Sequence, residues 1–501
     1  MKLSLISDQE RQHVGSDATP AVRHMKDLPG PRPLPLLGNA LQVRLNRMHQ
    51  DMEKWSGQYG PMFQVHLGRE PVLVLSDHSV IAGVLRDRPE SFRRPSRMQE
   101  IISEMGIADG VFVAEGEHWA RQRRMIMASF APGHVRAYFP ALLNVAGRLK
   151  RRWLIASDIS RPVDLQSDLM RFTVDVISGL AFGVDVNTLS SNDDVIQQHL
   201  DKVLPTVWRR THAIVPYWRL FKLPRDRAME RSVGEVNKAI RDFMAQARER
   251  LKDPARRAAP QNLLEAMIVA ADQPDSGMTD EDVVGNVFTM LLAGEDTTAT
   301  SISWMLYLLS RNPKAMERVR DEVDQVLGKP METWTPEDMG RLDYLEACIH
   351  ESMRIKPVGP FNVVETLRDV EIQGVLVPKG TSVVGLMRQD GMNDELFPDA
   401  GRFMPERWLP GEGAGMQADH AKRVSMPFGA GPRICPGRYL AIMEIKLAVA
   451  MLFQHFGIVA LDTPDGNEAQ EHMSFTMTPV GLSMTIRERK HGPAVRQASA
   501  A

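Results

Sequence analysis

The sequence predicts a mainly α-helical protein with small β-sheets. Most of the stretch 77–355 has a helical pattern of apolar residues that is divided by Pro and Gly. Strand-like patterns are short and fall at 63–75, around 363–387 and around 473–486. Hydrophobic residues make up 43% of the 501 residues, which is enough for a large core. Length alone suggests about three domains of ~150 residues each.

Both ends of the chain have the composition of flexible tails. Residues 1–27 are polar, and their longest apolar run, 3–6, is too short for a signal peptide or a membrane span. Residues 489–501 are mostly small or polar. We therefore expect flexible tails at 1–27 and 489–501 and no transmembrane anchor.

Charge and cysteine content narrow the class of protein. The 61 basic and 63 acidic side chains leave a formal net charge of -2, which gives no general attraction to nucleic acid. The two cysteines, Cys348 and Cys435, lie far apart in the sequence, so we expect no disulfide framework. A reducing cytosol suits such a chain, and a cytoplasmic location is expected. Cys348 lies in a predicted helix and is expected to be a core residue.

The first predicted elements are an extended segment and a hairpin. Prolines alternate with other residues over 28–39, which disfavours a helix. Residues 63–67 and 71–75 follow as short strands with Gly68 in the turn between them.

A long helix with a polar centre is predicted over 279–311. Thr279 and Asp282 have the spacing of a capping box, and an Asn-Pro pair ends the pattern. The first half is mostly apolar, whereas 293–298 reads Ala-Gly-Glu-Asp-Thr-Thr. Acids and hydroxyls inside a buried helix cost free energy unless they are paired or used. Two adjacent acids argue against a membrane helix, at about 2.5–3.5 kcal/mol each. A solvated patch on a partly exposed helix is the remaining alternative.

The most informative stretch surrounds Cys435 and reads Phe428-Gly-Ala-Gly-Pro-Arg433-Ile-Cys435-Pro-Gly437-Arg. Its glycines allow tight turns and a close approach to a flat ligand, and its prolines stiffen the loop. Arg433 can reach a carboxylate. A helix is predicted over 439–456, and its positive end with free backbone N–H groups favours the thiolate of Cys435. A small buried cysteine in a turn is the alternative.

The residues from Phe428 to Gly437 match Phe-Gly-x-Gly-x-Arg-x-Cys-x-Gly at every fixed position, so the chain resembles the cytochrome P450 family. The resemblance implies that Cys435 is the axial thiolate ligand of haem b, with Phe428, Arg433 and Gly437 against the cofactor. It also implies the cytochrome P450 fold over 28–488, a single large triangular helical domain. In that fold the haem lies between the long central helix and the helix after the cysteine loop.

The polar centre of the long helix is similar to the family's Ala/Gly-Gly-x-Asp/Glu-Thr-Thr pattern. The resemblance implies that Asp296 and Thr297 are catalytic. Thr297 would donate a hydrogen bond to activated oxygen, and Asp296 would relay protons from water. Gly294 would leave room for dioxygen, and the Thr297 hydroxyl could also bond to a carbonyl four residues earlier.

Further motifs are similar to the family's haem supports. Trp119 and Arg123 match its Trp-x-x-x-Arg, which implies donation to a haem propionate. An amphipathic surface helix is the alternative. Glu351 and Arg354 match its Glu-x-x-Arg, and Arg407 resembles its second arginine, which implies a buried network that holds the cysteine loop. The alternative for Glu351 and Arg354 is a surface ion pair worth under about 1 kcal/mol.

Two positions depart from the family's common patterns. Val364 stands where many relatives have another propionate-binding arginine, and 391–393 reads Gly-Met-Asn where His-Arg-Asp is common. Propionate contacts at these positions must differ or be absent.

The resemblance implies a cytochrome P450 monooxygenase that activates O2 to hydroxylate or epoxidise a small-to-medium apolar substrate. Fatty acids, terpenoids and other secondary metabolites remain open. The chain after Cys435 is too short for a fused reductase, so electrons are expected from a separate ferredoxin or flavodoxin with its NAD(P)H reductase. Arg121, Arg124 and Lys446 could form a basic surface for an acidic carrier.

Two alternatives have different chemistry. One is a peroxide-driven peroxygenase, dehydratase or isomerase of the same fold, and such relatives tend to lack the acid–alcohol pair. The other is a haem-thiolate sensor, which needs neither that pair nor a deep apolar pocket. A helical protein without a cofactor would not explain why the motifs occur together in order. The substrate pocket is expected to include four candidate side chains, Phe361, Val363, Phe475 and Met477.

Overall fold

The computed structural model describes residues 23–130, 132–183, 185–190, 195–411 and 418–489. Helices dominate these ranges and the strands form four small sheets, so the predicted fold class is confirmed.

Much of both predicted tails lies outside the described residues, namely 1–22 and 490–501. The described end of the N-terminal tail packs on the domain. Arg23–His24 forms a short strand parallel to Val375–Val377, and the Met25 side chain is buried. Regular structure therefore begins ahead of the predicted boundary at residue 28, because this segment finds a strand to pair with.

The α-helices of the described residues, in chain order, are α1 (Met48–Tyr59), α2 (His78–Arg86), α3 (Ser96–Glu104), α4 (Gly116–Ser129), α5 (Pro132–Asp158), α6 (Leu165–Phe182), α7 (Val195–Leu200), α8 (Val203–Thr211), α9 (Pro224–Arg250), α10 (Pro254–Ala258), α11 (Leu263–Ala271), α12 (Asp280–Ser310), α13 (Pro313–Val326), α14 (Pro336–Met339), α15 (Asp343–Ile355), α16 (Ala418–Ser425) and α17 (Arg438–His455). None of them is both long and apolar enough to cross a lipid bilayer.

The strands are β1 (Arg23–His24), β2 (Met62–Leu67), β3 (Glu70–Leu75), β4 (Phe92–Arg93), β5 (Val163–Asp164), β6 (Phe361–Thr366), β7 (Val370–Ile372), β8 (Val375–Val377), β9 (Ser382–Leu386), β10 (Phe456–Asp462), β11 (Glu471–Met473), β12 (Met477–Pro479) and β13 (Ser483–Glu488). They form sheets in the orders β2-β3-β9-β6-β4, β10-β13-β5, β1-β8-β7 and β11-β12.

The hairpin strands β2 and β3, the short β4 and the later strands β6 and β9 form the five-stranded sheet. Strands β2 and β3 are antiparallel with Phe63 opposite Val74, and Gly68 in their turn has φ 63°, which is the left-handed region. The later strand β9 lies parallel to β3, and β6 pairs with β9 on its other side. The predicted hairpin is confirmed, and the sheet brings the start of β6 to a cavity wall described below.

Helix α12 runs through the main hydrophobic core and begins and ends where the sequence predicts. The Thr279 hydroxyl accepts a hydrogen bond from the Asp282 N–H, and the Asp282 carboxylate accepts one from the Thr279 N–H. This reciprocal pair is the predicted capping box. The helix has 31 residues and ends at Ser310, just before the Asn-Pro pair. Its length of about 46 Å is sufficient to cross a domain.

Gly294 permits close packing between α12 and α6. A Cβ atom at Gly294 would lie 3.0 Å from Cγ1 of Ile177. This close approach explains the glycine by helix packing. Gly294 also lines the cavity described below, so the expectation that it leaves room for dioxygen stays a prediction.

A buried ionic cluster joins α1 to the C-terminal strands through Glu471. The Glu471 carboxylate accepts hydrogen bonds from Arg388 Nη1 and Lys356 Nζ, each at 2.7 Å, and lies 2.7 Å from His49 Nε2. Arg388 also donates to Glu53 on α1. Burial opposes ionisation of Glu471, but the hydrogen bonds and the cationic neighbours outweigh it and hold its pKa well below the usual range.

We expect Glu471→Gln to lower the free energy of unfolding by about 3–5 kcal/mol, because the substitution leaves buried cations without their counter-ion. Urea unfolding followed by circular dichroism measures this change. In acid the Glu471 carboxylate binds fewer protons in the native state than in the unfolded chain. The stabilisation that Glu471 contributes therefore holds above about pH 4.3 and is lost as the pH falls below that value. The exposed neighbour Glu468 provides the control, since Glu468→Gln should change stability by less than about 0.5 kcal/mol.

Candidate functional site

A cavity of about 1320 Å³ lies between the middle of α12 and the loop that precedes α17. This volume exceeds the roughly 300–1,000 Å³ of sites for single drug-sized ligands. Thr297 lines one wall, Cys435 lines another, and apolar side chains such as Phe112 and Met290 supply much of the rest. The cavity therefore has room for more than one ligand between the two predicted reactive groups.

The loop before α17 holds Cys435 at the cavity wall. Gly429 and Gly431 have φ values of 74° and 71°, which favour glycine. A Cβ atom at Gly431 would lie 2.4 Å from the backbone oxygen of Leu85, so no larger residue fits there. The Cys435 N–H donates to the Phe428 carbonyl at 3.0 Å, which closes the loop.

Opposing effects act on the Cys435 thiol. Burial raises its pKa, whereas hydrogen bonds from the N–H groups of Gly437 and Arg438 and the positive charge of Arg123 lower it. The N–H groups at the start of α17 are those that the sequence predicted to favour the thiolate. A cation at the sulfur would complete its stabilisation in the buried site.

Arg433 lies at the cavity edge and is held by Glu115. Its Nη2 donates to the Glu115 carboxylate at 2.6 Å and to the Ala114 carbonyl at 2.7 Å, and the guanidinium lies 4.6 Å from the Trp119 ring centroid. Its Nε and Nη1 are buried and have no hydrogen-bond partner in the described protein. Burial lowers the pKa of Arg433 to about 10.

Helix α4 contributes Trp119 and Arg123 to the same wall. Both side chains line the cavity, and Arg123 Nη2 donates to the carbonyl of Ile434, next to the cysteine. Arg121 points away from the cavity, where it lies 4.0 Å from Glu117, and Arg124 is exposed. The four-residue spacing therefore brings together the two residues that the sequence singled out.

The cavity edge carries more positive than negative charge. Buried Arg88 lies 3.8 Å from the Glu115 carboxylate, and its Nε and Nη2 have no hydrogen-bond partner among the described atoms. Arg94 also lines the cavity. The Glu115 carboxylate thus lies within 4 Å of two guanidinium groups, those of Arg433 and Arg88, and unpartnered buried donors are costly. The donor set fits an anionic ligand.

The polar side chains at the centre of α12 point in two directions. The Thr297 hydroxyl lines the cavity and donates to the Ala293 carbonyl four residues earlier, as predicted. Asp296 does not line the cavity. Its carboxylate accepts hydrogen bonds from the hydroxyls of Thr476 and Thr300, and burial raises its pKa above the usual value. Because Thr476 does line the cavity, it connects Asp296 to that space.

Glu351 lies at the centre of a buried network. Its carboxylate accepts from Arg354 Nε and Nη2 at 2.8 and 2.7 Å, from Arg407 Nε at 3.3 Å and from Trp408 Nε1 at 2.9 Å. The Met404 N–H also donates to it at 2.9 Å. The structure thus brings the three predicted members together as a buried cluster, not as a surface ion pair.

Glu444 is a cavity residue that the sequence reasoning missed. It lies on α17, is 3% exposed, and has Thr298 of α12 as its hydrogen-bond partner. Burial raises its pKa to about 8, so the carboxyl is largely neutral at pH 7. A signal was available, because Glu444 and Lys446 place charges in the mostly apolar stretch 439–456, and a charge buried there must be paired or used.

Comparisons with known proteins identify the family. A family model described as Cytochrome P450 matches residues 28–486. The chain belongs to the cytochrome P450 family. It is a haem monooxygenase of the oxidoreductase class, as the sequence predicted. Members of the family carry a haem with a cysteine thiolate ligand.

Mammalian, fish and fungal cytochromes P450 are similar to the chain. Cytochrome P450 3A29 of Sus scrofa is 27% identical over 440 residues, which cover 86% of this chain and 85% of that protein. Cytochrome P450 3A30 of Fundulus heteroclitus is 27% identical over 438 residues, 85% and 86% of the two chains. A bifunctional cytochrome P450/NADPH--P450 reductase of Gibberella moniliformis is 26% identical over 475 residues, 93% of this chain and 41% of the fungal protein.

The residues at the cavity fit a haem. Cys435 lines a cavity of about 1320 Å³, which has room for a flat macrocycle, and Arg433 on the same cavity has two unpartnered nitrogens that can pair with an anionic edge. A haem carries two carboxylates, which would neutralise the excess positive charge of the arginines. Cys435 would hold the iron, and Trp119, Arg123 and Arg433 would hold the carboxylate edge.

Some expectations about the surroundings are wrong. Lys446 is 3% exposed and donates to the Met339 carbonyl at 2.9 Å, so it cannot belong to a basic surface. Phe361, Val363 and Phe475 line the cavity, whereas Met477 lies in the core. Phe475 lies ahead of β12 with a φ of 92°, whereas Met477 is the first residue of that strand, so no regular strand places the two side chains on one face.

Proposed function

We propose that the protein binds haem b through the Cys435 thiolate and uses O2 to hydroxylate or epoxidise an apolar substrate. Fatty acids, terpenoids and other secondary metabolites of small to medium size are the candidate classes. The observation that carries the proposal is the position of Cys435 and Thr297 on walls of one large, mostly apolar cavity with arginines at its edge. When bound, the haem supplies the activation of dioxygen and the transfer of one oxygen atom to a C–H or C=C bond.

Thr297 would deliver a hydrogen bond to dioxygen in the cavity. Its single hydroxyl proton is engaged by the Ala293 carbonyl, so donation requires rotation of the hydroxyl away from that carbonyl. A hydroxyl whose partner lies on its own helix suits this exchange, because the helix keeps the side chain at the cavity wall in both arrangements.

Asp296 would hold the protons that the reaction consumes. Its raised pKa favours proton storage closer to neutral pH than an exposed aspartate allows. Thr476 is the group through which this carboxyl reaches the cavity, since its hydroxyl donates to Asp296 and the residue lines the cavity wall. Protons would therefore pass from Asp296 by way of the Thr476 hydroxyl and cavity water.

Electrons are proposed to come from a separate ferredoxin or flavodoxin with its NAD(P)H reductase. Arg124 and Arg438 are exposed on the helices that carry Arg123 and begin after Cys435. They supply the positive charge that an acidic carrier would contact, in place of the buried Lys446. Electron transfer rates should then fall as salt is raised, because exposed charge pairs are screened.

Turnover under two regimes tests the proposal. Candidate ligands are first identified by the shift that they cause in the haem spectrum. Each is then incubated either with ferredoxin, reductase, NADPH and O2 or with hydrogen peroxide alone. We expect product only in the first regime. Product with peroxide alone would favour the peroxygenase alternative, and the absence of any spectral shift across apolar ligands would favour the sensor.

A further inference from the structure

Imidazole and carboxylate groups cluster at a place that the haem site does not use. Asp77 and His78 lie at the start of α2, and Asp390 lies in the turn Asp390–Met392 after β9. One side-chain nitrogen or oxygen from each of these three residues lies within 4.8 Å of the other two. His420 of α16 is next to them, with its ring centroid 6.4 Å from that of His78. None of the four lines the cavity, so the proposed function leaves them without a role.

Backbone N–H groups hold both carboxylates in place. Asp77 Oδ1 accepts hydrogen bonds from the N–H groups of Ser79 and Val80 at 2.8 and 2.9 Å. Asp390 Oδ2 accepts one from the His78 N–H at 2.7 Å. Carboxylates that bind a metal are usually oriented by such bonds. Asp77 Oδ2 and Asp390 Oδ1 accept no hydrogen bond from the described residues, and no lysine or arginine among them lies within 4 Å of either carboxylate. Both acids therefore keep an oxygen and a negative charge for a ligand.

The two histidines supply nitrogen ligands at suitable separations. His78 Nδ1 lies 2.7 Å from Asp390 Oδ2, and a metal ion can replace the proton that these two atoms share. Ligand atoms on one four-coordinate Zn²⁺ are roughly 3.4 Å apart, because each lies about 2.0–2.1 Å from the metal. For the same bond length, two imidazole rings on one ion have centroids roughly 5–6.5 Å apart, which includes the 6.4 Å between His78 and His420. Small side-chain movements would therefore bring the four groups to one ion.

The exposure and the donor types of the cluster indicate which ion it would take. The side chains of His78 and Asp390 are 23% and 17% exposed, so an ion can enter from solvent. Imidazole nitrogens suit Zn²⁺ and other late first-row metals, whereas Mg²⁺ and Ca²⁺ prefer sites made of oxygen ligands. A divalent charge would also neutralise the two carboxylates.

We propose that Asp77, His78, Asp390 and His420 bind one divalent transition-metal ion of the Zn²⁺ type. The ion would join α2, the turn Asp390–Met392 and α16, and α16 already packs against the other two. The inference does not depend on the proposed function, because none of these side chains reaches the cavity.

The position of this metal site connects it to the supports of the cysteine loop. Helix α16 is the last α-helix before that loop, and α2 contacts the loop where Leu85 meets Gly431. A bound ion would therefore brace the loop from outside the cavity. The turn also includes part of 391–393, the segment in which the chain departs from the family's common pattern.

Calorimetric titration with ZnCl2 tests the proposal. The untagged, haem-loaded protein is first dialysed against EDTA. We expect one Zn²⁺ per chain with a Kd of about 1 µM or lower. Asp77→Asn should weaken binding at least about tenfold, because loss of a ligand costs no less than loss of one of its outer partners. Asparagine caps a helix as well as aspartate does, so this variant keeps α2.

Two further variants and a second readout sharpen the comparison. His420→Gln removes a ligand from a different helix and should weaken binding to a similar extent. Asp419→Asn is the matched control, because it makes the same change of charge at an exposed neighbour, and its Kd should stay within about twofold of that of the unmodified protein. Zn²⁺ should raise the midpoint of thermal unfolding of the unmodified protein and of Asp419→Asn, but not of Asp77→Asn.

Two results would overturn the proposal. One is Zn²⁺ binding that is absent from the unmodified protein, or equally strong in Asp77→Asn and His420→Gln, since any bound ion would then lie elsewhere. The other is displacement of Zn²⁺ by millimolar Mg²⁺, which would show a general attraction of cations to carboxylates. Protein that holds no haem but binds Zn²⁺ as expected would refute the proposed function alone and would support the metal site.

Discussion

Replacement of Cys435 by serine should abolish the red-shifted ferrous–CO band and reduce monooxygenase activity to background. A serine hydroxyl is not ionised under conditions in which the thiolate forms, so the axial ligand is lost although the loop geometry is kept. The loop is fixed by its glycines and by the Cys435 N–H bond to Phe428, neither of which the substitution changes. Reduced and CO-treated difference spectra of the purified variant provide the measurement.

The other cysteine of the chain is a matched control. Cys348 is 0% exposed on α15, in the main core and away from the cavity, as the sequence predicted. Cys348→Ala should keep the red-shifted band, with at most a loss of stability from the smaller side chain. If Cys435→Ser kept the band and Cys348→Ala lost it, the assignment of the ligand would be wrong.

Thr297→Ala should separate electron consumption from product formation. Haem content and ligand-induced spectral shifts should match the unmodified protein, because the hydroxyl donates only to its own helix. Product formation should fall by on the order of 10²-fold, the scale of one proton-transfer group, while NADPH oxidation continues and hydrogen peroxide accumulates. Product and peroxide are measured per NADPH consumed.

Ser301 offers a control one turn further along α12. It also lines the cavity, and its hydroxyl donates to the Thr297 carbonyl. Ser301→Ala should leave the ratio of product to NADPH close to that of the unmodified protein, and Thr297→Ser should restore much of what Thr297→Ala loses. Full coupling in Thr297→Ala would remove Thr297 from the proton pathway.

The sequence predicted those parts of the fold that depend on local signals. The capping box at Thr279 and the Asn-Pro pair bound α12 because both act within one helical turn. Gly68 marked the hairpin because its turn requires a positive φ. The described end of the predicted N-terminal tail was misjudged because its pairing partner, β8, lies about 350 residues later in the chain and no local pattern indicates it.

The sequence predicted which residues lie at the candidate site better than it predicted the directions in which their side chains point. The motif around Cys435 predicted Arg433 and the separate Trp-x-x-x-Arg motif predicted Arg123, each at a fixed offset on a local element, and both line the cavity. The direction of Asp296 depends on Thr476, which a distant turn brings to α12. Lys446 reads as a surface cation in sequence, yet the packing of α17 encloses it and a backbone carbonyl binds it. Such outcomes depend on tertiary contacts between segments far apart in the chain.

The central claim is that the sulfur of Cys435 binds a haem iron in the cavity between α12 and α17. The most direct test is the absorbance spectrum of the unmodified protein, purified after expression with ample haem supply, before and after reduction under CO. We expect a Soret band that moves to the red-shifted position typical of thiolate ligation. A colourless protein, or a CO complex with the spectrum of a haem bound by nitrogen, would contradict the account.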